Sequence, residues 1–536
     1  MSLFSRCGLR GRLLATALSI PLIGLAAVTA PARAADVTAA EAQDVAKQLR
    51  EWIGGQLGGG VPIPPDIFRM TPAGAQMRLV VPLPVPVLTM QDGDAKATDA
   101  LISAALRPLG GTRWAIEDFR MPAVIILTPE AAAGLTPATP GGGAGANSGR
   151  GARPGPGGRP GAAAPAVPGL EIRIRSQSAT GVYDTSLKTE SRLEATTQGI
   201  VIRSTGLGDP NQRLEATVDR YKGLMQLRPT AAGGVDTISE WTIEGYSSRT
   251  TDPTIGEMKM DLQRLHVRGE IAGMMTGQVT TLLQNSVQWG LAAAMQPGPG
   301  MTDDPLGDAG RAKLKVIVAA LKNLLAGMSV TETVEGARVE VMGMGGGVDK
   351  LLFAFGGSAP TNKFGAYMEI GIDGLKVPAL PPSYASLLPR SVNVRPTVGN
   401  IDVAALTALV EEAAQPKANL DRIRDKLIGL VTGNGVTVGL ERLSIDMGTT
   451  KLSATGSVTA SQPMTANGQA EIIVTGFDAL MERIQKMPEA MQIIPALALV
   501  RGLGRSDGDK LVWRLVLTED QKITVNGVDL RKLGGG

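Results

Sequence analysis

The chain has 536 residues, of which 43% are hydrophobic and only 3% aromatic. It carries 53 basic and 50 acidic residues, and without the arginines of its N-terminal leader (Arg6, Arg10, Arg12 and Arg33) the balance is 49 to 50. A charge balance this close to neutral argues against nucleic acid as a partner, since nucleic-acid binding needs a basic face. A chain of this length can bury more than one hydrophobic core, built here mainly from aliphatic residues and methionine.

Residues 1–34 have the order of a secretory signal peptide. Basic residues up to Arg12 are followed by an apolar run from Leu13 to Ala30 and by small residues up to Ala34, after which we expect cleavage. The alternative is an uncleaved membrane anchor, because the run approaches spanning length at about 18 residues. The single cysteine, Cys7, precedes the apolar run, so neither a lipid-modified cysteine nor a disulfide is expected in the mature chain. We therefore expect a periplasmic protein that is soluble or peripherally attached to a membrane.

Residues 35–130 form an expected N-terminal α+β segment. Apolar residues at helical spacing predict a helix over Val37–Leu57, with Thr38 as its N-cap. Prolines at every second position of Met77–Met90 favour an edge strand or a polyproline-like run. The stretch Trp114–Thr128 ends in a strand-like run of β-branched residues.

Residues 131–169 are rich in Gly, Pro and Ala and have little to bury, so we expect a disordered insertion. The segment carries Arg150, Arg153 and Arg159 and no acidic residue. One interpretation is a basic tether for anionic lipid or cell-wall polymer. A solvated loop between two strands is the interpretation that we favour.

Two further regions, 170–300 and 301–536, are expected to be β-rich, the first with a terminal helix. Apolar and polar residues alternate with period two, which predicts strands with one apolar and one polar face. The predicted strands are Leu170–Arg175, Gly199–Ser204, Arg213–Val218, Leu224–Leu227, Thr237–Glu244, Met258–Gln263, Ala337–Met342, Lys510–Thr518 and Lys522–Leu530.

Between these strands lie segments whose apolar residues recur at helical spacing. The predicted helices are Gly277–Gln296, Arg311–Leu325, Val403–Ala413, Leu420–Val431 and Asp478–Val500. Asp402 and Asp478 are the expected N-caps, and Pro488 and Pro495 should break the last helix. The fold class that follows is α+β, with a large curved, mainly antiparallel β-sheet (meander) flanked by amphipathic helices.

Few residues offer catalytic chemistry. His266 is the only histidine, and strand alternation places it on the polar face with Arg264 and Arg268, which favours an ordinary surface residue over a general base. Without further histidine or cysteine, zinc, haem and Cys/His catalysis lack ligands or partners. We expect no catalytic, cofactor-binding or metal-binding residues, and no cofactor.

The remaining chemical candidates favour structural interpretations. Gly343–Lys350 has no phosphate-loop pattern and is expected to be a loose hairpin turn. Asp92–Asp94, Asp303–Asp304 and Asp507–Asp509 lack the other carboxylates of a calcium loop. A hydrolase that uses two carboxylates is a distant third interpretation; the candidate pairs are Glu411–Glu412 and Glu240 with Glu244.

One resemblance emerges at Lys451–Leu480. Leu452, Ala454, Gly456, Val458 and Ala460 share one strand face, a turn is expected at Ala466–Gly468, and the stretch AEIIVTGFDALM leads from a strand into a helix. Together with the closing VNGVDL, this pattern resembles YdgA-like and AsmA-like bacterial envelope proteins. It is most similar to an alphaproteobacterial periplasmic family of unknown function, over about Gly365–Leu533.

The resemblance implies a long antiparallel sheet whose concave apolar face holds lipid or another hydrophobic chain. The expected function is non-enzymatic, with a lipid-like ligand and a role in maintaining the cell envelope or outer membrane. The alternative is a structural or interaction protein with a closed core that engages envelope proteins. Methionines such as Met258, Met260, Met274 and Met275 suit a pliable groove, although core packing explains any one of them.

Overall fold

A computed structural model describes the fold over much of the chain. The described residues are 36–56, 68–82, 87–91, 94–96, 101–127, 169–187, 189–205, 213–231, 234–252, 256–274, 327–359, 362–378, 380–385, 387–413, 415, 419–432, 435–461, 465–487 and 492–532. The leader 1–34, the insertion 131–169 except for its last residue, the predicted helices at 277–296 and 311–325, and residues 303–304 lie outside them.

Strands dominate the described residues. They form a 23-stranded antiparallel sheet, which confirms the predicted large antiparallel sheet. The strands are β1 (Arg69–Ala73), β2 (Gln76–Pro82), β3 (Val87–Gln91), β4 (Asp94–Lys96), β5 (Leu101–Gly110), β6 (Arg113–Arg120), β7 (Val124–Leu127), β8 (Leu170–Asp184), β9 (Thr189–Thr205), β10 (Arg213–Pro229), β11 (Val235–Asp252), β12 (Gly256–Met274), β13 (Gly327–Val341), β14 (Met344–Ser358), β15 (Lys363–Asp373), β16 (Ser391–Asp402), β17 (Thr437–Asp446), β18 (Lys451–Ser461), β19 (Thr465–Thr475), β20 (Arg505–Asp507), β21 (Lys510–Leu517), β22 (Ile523–Val525) and β23 (Val528–Asp529).

The sheet is a meander over most of its width. From β8 to β19 every strand pairs with the next strand of the chain, and β19 then pairs with β21. At the N-terminal end the order is β1, β2, β5, β6 and β8; β7 also pairs with β8, and β3 pairs with β7. β2 therefore pairs on both sides, so the expected edge strand is wrong for its described part.

Two predicted turns and one predicted strand differ from the structure. Met342 and Gly343 form a tight turn with φ of 53° and 77°, so the glycines after Met344 belong to β14 and not to a loose loop. Ala466–Gly468 lies inside β19, because that strand already begins at Thr465. The predicted strand Lys522–Leu530 is instead a small hairpin of β22 and β23.

A line of left-handed glycines crosses the sheet, which we call the crease. It consists of Gly199, Gly245, Gly336 and Gly374, with φ of 63°, 65°, 63° and 65° respectively. The register places these glycines opposite Arg175, Asp219, Gln263 and Asp349 of neighbouring strands. A Cβ on Gly245 would come within 2.0 Å of Asp219 Oδ2, so only glycine fits there.

The apolar side of the sheet changes at the crease. In β10, for example, the apolar residues Val218 and Tyr221 are three positions apart, and the charged residues Asp219 and Arg220 lie between them. Since side chains of an extended strand alternate between faces, the apolar residues before and after the crease lie on opposite faces. Glycine kinks are one means of bending a sheet at such a line.

Helices lie near both ends of the sheet and beside β16, where the helix residues Leu406 and Leu430 share a core cluster with Ile401. They are α1 (Ala39–Gln56), α2 (Pro382–Ala385), α3 (Val403–Ala413), α4 (Leu420–Thr432), α5 (Phe477–Gln485) and α6 (Ile494–Leu503), and Leu530–Lys532 forms a 3₁₀ turn. Each of the four regions predicted to be helical within the described residues contains a helix. None of these helices combines the length and the apolarity needed to span a bilayer.

The helix caps match the predictions in part. Thr38 Oγ1 accepts a hydrogen bond from Glu41 N at 3.2 Å, and the Glu41 carboxylate accepts one from Thr38 N at 2.8 Å, which is a capping box. Asp402 Oδ1 accepts from Ala405 N at 3.0 Å, which confirms that cap. Asp478 is not the N-cap of α5, because Gly476 holds that position with φ of 70°.

Candidate functional site: an apolar pocket

His266 lies where alternation placed it, on the polar face of β12 with Arg264 and Arg268. Its Nδ1 is 3.0 Å from Thr242 Oγ1 on β11, and its Nε2 is 3.8 Å from Glu240 Oε1. Strand alternation alone does not reveal Glu240 as a neighbour of His266; the register, which pairs Glu240 with Arg268, does. Thr242 is buried and Glu240 is also 3.8 Å from Arg268, so the histidine belongs to a network of cross-strand polar contacts.

The other chemical candidates are dispersed. Glu412 pairs with Lys426 and, at 3.7 Å, with Arg422, and so links α3 to α4. Glu244 pairs with Arg220 at 3.3 Å. Within the described residues, no group of three or more His, Cys, Asp or Glu side chains is placed to hold a metal ion.

Beyond the crease, one face of the sheet carries two rows of mainly apolar side chains. The register aligns one residue from each strand of β10–β19 and from β21 in the row nearest the crease. This first row is Tyr221, Ile243, Leu265, Val334, Leu351, Ile372, Val392, Ile445, Leu452, Val474 and Leu511. Burial raises the pKa of the Tyr221 phenol, as expected for a hydroxyl at an apolar surface.

A second row runs beside the first and is interrupted by a single charged residue, Glu332. It is Trp241, Val267, Glu332, Phe353, Ile370, Val394, Leu443, Ala454, Ile472 and Trp513. We call the face that carries these two rows the apolar face. The face that Leu452 and Ala454 share, expected from the sequence, is part of it.

At its C-terminal end the apolar face is covered by α5 and α6. Phe477, the first residue of α5, packs against Trp513 with ring centroids 6.2 Å apart. Both belong to a core cluster with Val474 and Val525. None of the residues of α6 is buried, so this helix lies over the sheet without closing the space beneath it.

The space beneath the helices is a pocket of about 440 Å³. Its lining residues come from the sheet, from both helices and from the C-terminal turn, and all but Thr450 are apolar. They are Met447, Thr450, Leu452, Ile472, Val474, Phe477, Leu480, Leu497, Val500, Leu503, Trp513, Leu515, Val525 and Leu530. The pocket volume falls within the range of about 300–1,000 Å³ that is typical of small-molecule sites.

The polar groups in the pocket wall already have partners. Trp513 Nε1 donates to Val500 O at 2.8 Å, and Thr450 Oγ1 donates to Gly476 O at 3.0 Å. These contacts use the N–H donor of Trp513 and the O–H donor of Thr450. Such a pocket can hold an apolar chain by burial but offers no group for acid, base or nucleophilic chemistry.

Charged contacts fasten the two helices around the pocket. Arg501 of α6 pairs with Asp478 of α5 at 2.9 Å, which explains the position of Asp478 in the first turn. Arg483 of α5 donates to Met447 O at 3.3 Å and to the Thr449 hydroxyl, in the loop between β17 and β18. The pocket wall is therefore tied to the sheet at its rim, where the polar groups remain solvated.

A second cavity, of about 620 Å³, has a lining that mixes charged, polar and apolar residues. Its charged residues are already engaged: Glu270 pairs with Arg268 at 2.6 Å, Glu441 pairs with Arg395 at 3.0 Å, and Arg228 donates to Gln226 Oε1 at 3.3 Å. Asp236 accepts from Gly273 N at 2.8 Å. These contacts account for its charges as sheet structure, which leaves the apolar pocket as the stronger candidate site.

Comparison with known proteins gives one match. Residues 357–518 match a family described as an uncharacterized protein conserved in bacteria (DUF2125). The matched stretch contains the pocket residues from Met447 to Leu515 and excludes Val525 and Leu530. No curated protein matches the chain, and no solved structure matches it. The match supports a bacterial family of unknown function for this stretch and assigns no activity.

Proposed function

We propose that the protein is a non-enzymatic component of the bacterial cell envelope that holds a lipid-like chain in the pocket between its apolar face and helices α5 and α6. The observation that carries this proposal is the pocket of about 440 Å³, whose lining is apolar except for Thr450. A hollow of this size is destabilising when empty, because its lining residues lose the contacts that a packed core would supply. An acyl chain would restore those contacts.

The leader sequence supports a periplasmic location for this function. Its order of basic, apolar and small residues is that of a secretory signal, with cleavage after Ala34. The resemblance to YdgA-like and AsmA-like envelope proteins, carried by Lys451–Leu480, also favours a hydrophobic ligand. A contribution to envelope or outer-membrane maintenance is consistent with both features.

Native mass spectrometry of the mature protein purified from a periplasm tests the proposal. We expect a population whose mass exceeds that of the polypeptide by one lipid-like molecule. Leu515→Trp adds volume inside the pocket and should remove most of that population. Val438→Trp is the matched control, because Val438 is 50% exposed and does not line the pocket.

Two results would contradict ligand binding in the pocket. One is a wild-type protein recovered at high yield without any bound lipid. The other is equal lipid retention by the Leu515→Trp and Val438→Trp variants, with circular dichroism showing that both are folded. Either result would favour the alternative role, an interaction protein of the envelope that uses its loops and edge strands.

A further inference from the structure

Part of the pocket rim is a polar turn at the surface of the protein. It is formed by residues 446–451 between β17 and β18, and we call it the rim turn. Two of its residues, Met447 and Thr450, line the pocket. Thr450 is fully buried, whereas its neighbour Thr449 is exposed. The pocket wall therefore passes from the apolar interior to solvent within this turn, so a chain held in the pocket can place a polar end here.

Arg483 of α5 contacts the rim turn from the side of the helices. Its Nη1 donates to Met447 O at 3.3 Å, and its Nη2 donates to the Thr449 hydroxyl. The two acceptors flank Gly448, so the guanidinium group reaches across the tip of the turn. Arg483 is half-buried, as expected where a helix lies against the sheet. Its positive charge therefore lies at the place where the pocket wall meets solvent.

Arg390, just before β16, contacts the same turn. Its backbone N donates to Asp446 O at 2.6 Å. A Cβ on Gly448 would lie 3.1–3.3 Å from the guanidinium atoms of Arg390, so this group lies directly over that glycine. Because consecutive Cα atoms are about 3.8 Å apart, Arg390 and Arg483 bring two guanidinium groups to adjacent residues of one turn.

The rim turn contributes one carboxylate to this cluster. Asp446 accepts from Gly448 N at 2.6 Å, and its Oδ2 lies 3.2 Å from Lys451 Nζ. The Gly448 N–H, Lys451 and, through its charge, Arg390 lower the pKa of Asp446, which is therefore ionised at neutral pH. The described contacts of the rim turn thus bring together three cations, Arg390, Lys451 and Arg483, and one anion, Asp446.

This balance differs from that of the contact between the two helices, where Arg501 and Asp478 form a one-to-one pair at 2.9 Å. An excess of positive charge beside an apolar cavity attracts an anion, because the low-dielectric wall screens the charge less than bulk water does. Arginine suits carboxylate and phosphate in particular, since its planar group can donate to two oxygens at once. The charge of the rim turn therefore complements an anionic headgroup, while the pocket beside it complements an apolar chain.

We propose that the ligand of the pocket is an anionic amphiphile, whose acyl chain lies in the pocket and whose carboxylate or phosphate headgroup binds Arg483 and Arg390 at the rim turn. This inference rests on the proposed function and deepens it, because it names the chemical class of the ligand. Arg483, half-buried at the rim, makes the main headgroup contact. Arg390 is exposed and adds attraction that salt screens more strongly.

Amphiphiles that share one chain length and differ in headgroup charge test this proposal. The probes are decanoate, decyl phosphate, decanol and decyltrimethylammonium, each below its micelle concentration. Isothermal titration calorimetry measures their binding to the delipidated mature protein at neutral pH and low ionic strength. We expect the two anions to bind about tenfold or more tightly than decanol, and the cation to bind most weakly. The tighter of the two anions distinguishes a fatty-acid carboxylate from a lipid phosphate.

Substitutions at the rim turn locate the headgroup. Arg483→Gln should weaken binding of both anions roughly ten- to a hundredfold and leave binding of decanol nearly unchanged. Arg483→Lys should restore part of the loss, because it keeps the charge without the planar group. Arg390→Gln should weaken anion binding about two- to fivefold, as expected for an exposed charge.

Arg514→Gln is the matched control, because it also removes one positive charge from this end of the sheet. Arg514 lies between Trp513 and Leu515, which line the pocket, so its side chain is on the opposite face of β21. It is 68% exposed and pairs with Glu471 at 2.7 Å. The Arg514→Gln protein should keep the wild-type preference for anions.

The uncharged probe separates this proposal from the proposed function. Equal binding of decanoate and decanol by the wild-type protein, or an equal loss of anion preference in the Arg483→Gln and Arg514→Gln proteins, would overturn the headgroup assignment and leave chain binding intact. No binding of any of the four amphiphiles would reject the proposed function, and this inference with it. If circular dichroism shows that Arg483→Gln is unfolded, the wild-type order of affinities and the Arg390→Gln protein decide the question.

Discussion

The two ends of the apolar face are covered in different ways. At the N-terminal end, Ala42 and Val45 of α1 are 0% and 3% exposed, and they share a core with Met77 and Leu106, which are 0% and 2% exposed. At the C-terminal end, α6 has no buried residue and a pocket of about 440 Å³ lies beneath the helices. The first cover makes a packed core and the second leaves a hollow.

The difference shows that an apolar sheet face does not by itself decide between core and site. Both covers bury apolar rows of the same sheet, so the hydrophobic effect favours both. An empty cavity, however, is destabilising by about 24 cal/mol for each Å³ that the structure cannot close. The fit of the covering helix therefore distinguishes a region that only stabilises the fold from one that can take a ligand.

The largest effect is expected at a glycine beside the pocket. Gly476 has φ of 70°, and a Cβ there would lie 2.0 Å from the backbone oxygen of Thr449. Because a backbone oxygen cannot rotate away, we expect Gly476→Ala to lower the free energy of unfolding by about 3–5 kcal/mol, measured by urea denaturation.

Gly74, at the packed end, is the matched control. It has φ of 67° with nothing within 4 Å of an added Cβ, so Gly74→Ala should lose only about 1–2 kcal/mol from the left-handed backbone conformation. Equal losses at the two glycines would show that the close contact with Thr449 has little effect.

The same substitution at the two ends should have opposite effects. Val45 and Val474 are 3% and 6% exposed, but only Val474 lines the pocket. Val45→Leu overpacks a filled core and should lower the free energy of unfolding by about 1–3 kcal/mol. Val474→Leu extends into the hollow and should raise the free energy of unfolding by about 0.8 kcal/mol, the value for one buried CH₂ group.

Urea denaturation of both variants, with the lipid removed, gives the comparison. A loss of stability at Val474 as large as that at Val45 would mean that the pocket closes when it is empty. Lipid binding by the Val474→Leu protein should also weaken, because the added group occupies ligand volume.

Local sequence signals predicted part of this structure. The predicted N-cap Thr38 is such a local signal, and α1 begins at Ala39, directly after it. Alternation predicted the strands for the same reason, since one half-buried strand is enough to show its period. Asp478 was assigned as a cap because Asp is frequent both at the N-cap and in the first turn, and only the structure shows Gly476 in the cap position.

The crease and the pocket depend on register, which the sequence pattern does not give. Gly199, Gly245, Gly336 and Gly374 are far apart in the chain and align only when the strands are paired. A weak signal exists in β10, where the apolar alternation shifts by one position between Val218 and Tyr221. The pocket gave no comparable signal, because periodicity shows that a face is apolar but not how well a helix fits over it.

The smallest effect concerns one carboxylate at each end. The Thr38 backbone N–H and hydroxyl lower the pKa of Glu41 at the packed end, and the Gly448 backbone N–H, with help from Lys451, lowers the pKa of Asp446 beside the pocket. A pKa lowered in the folded state gives stability that is present above the unfolded value, about 4.3 for Glu and 3.9 for Asp, and is lost as the pH falls. We therefore expect Glu41→Gln and Asp446→Asn each to make the acid-induced loss of stability less steep.

Hydrogen exchange between about pH 3 and 6 can locate these losses, because regions of one protein open with different free energies. We expect Glu41→Gln to change protection in α1 and its strands, and Asp446→Asn to change it in α5, since Arg483 of α5 donates to Met447 O next to Asp446. A change in α1 caused by Asp446→Asn would show that the two ends open together, because no contact of Asp446 reaches α1 directly. Separate responses would instead mean that the pocket end can loosen to admit a ligand while the packed end keeps the sheet folded.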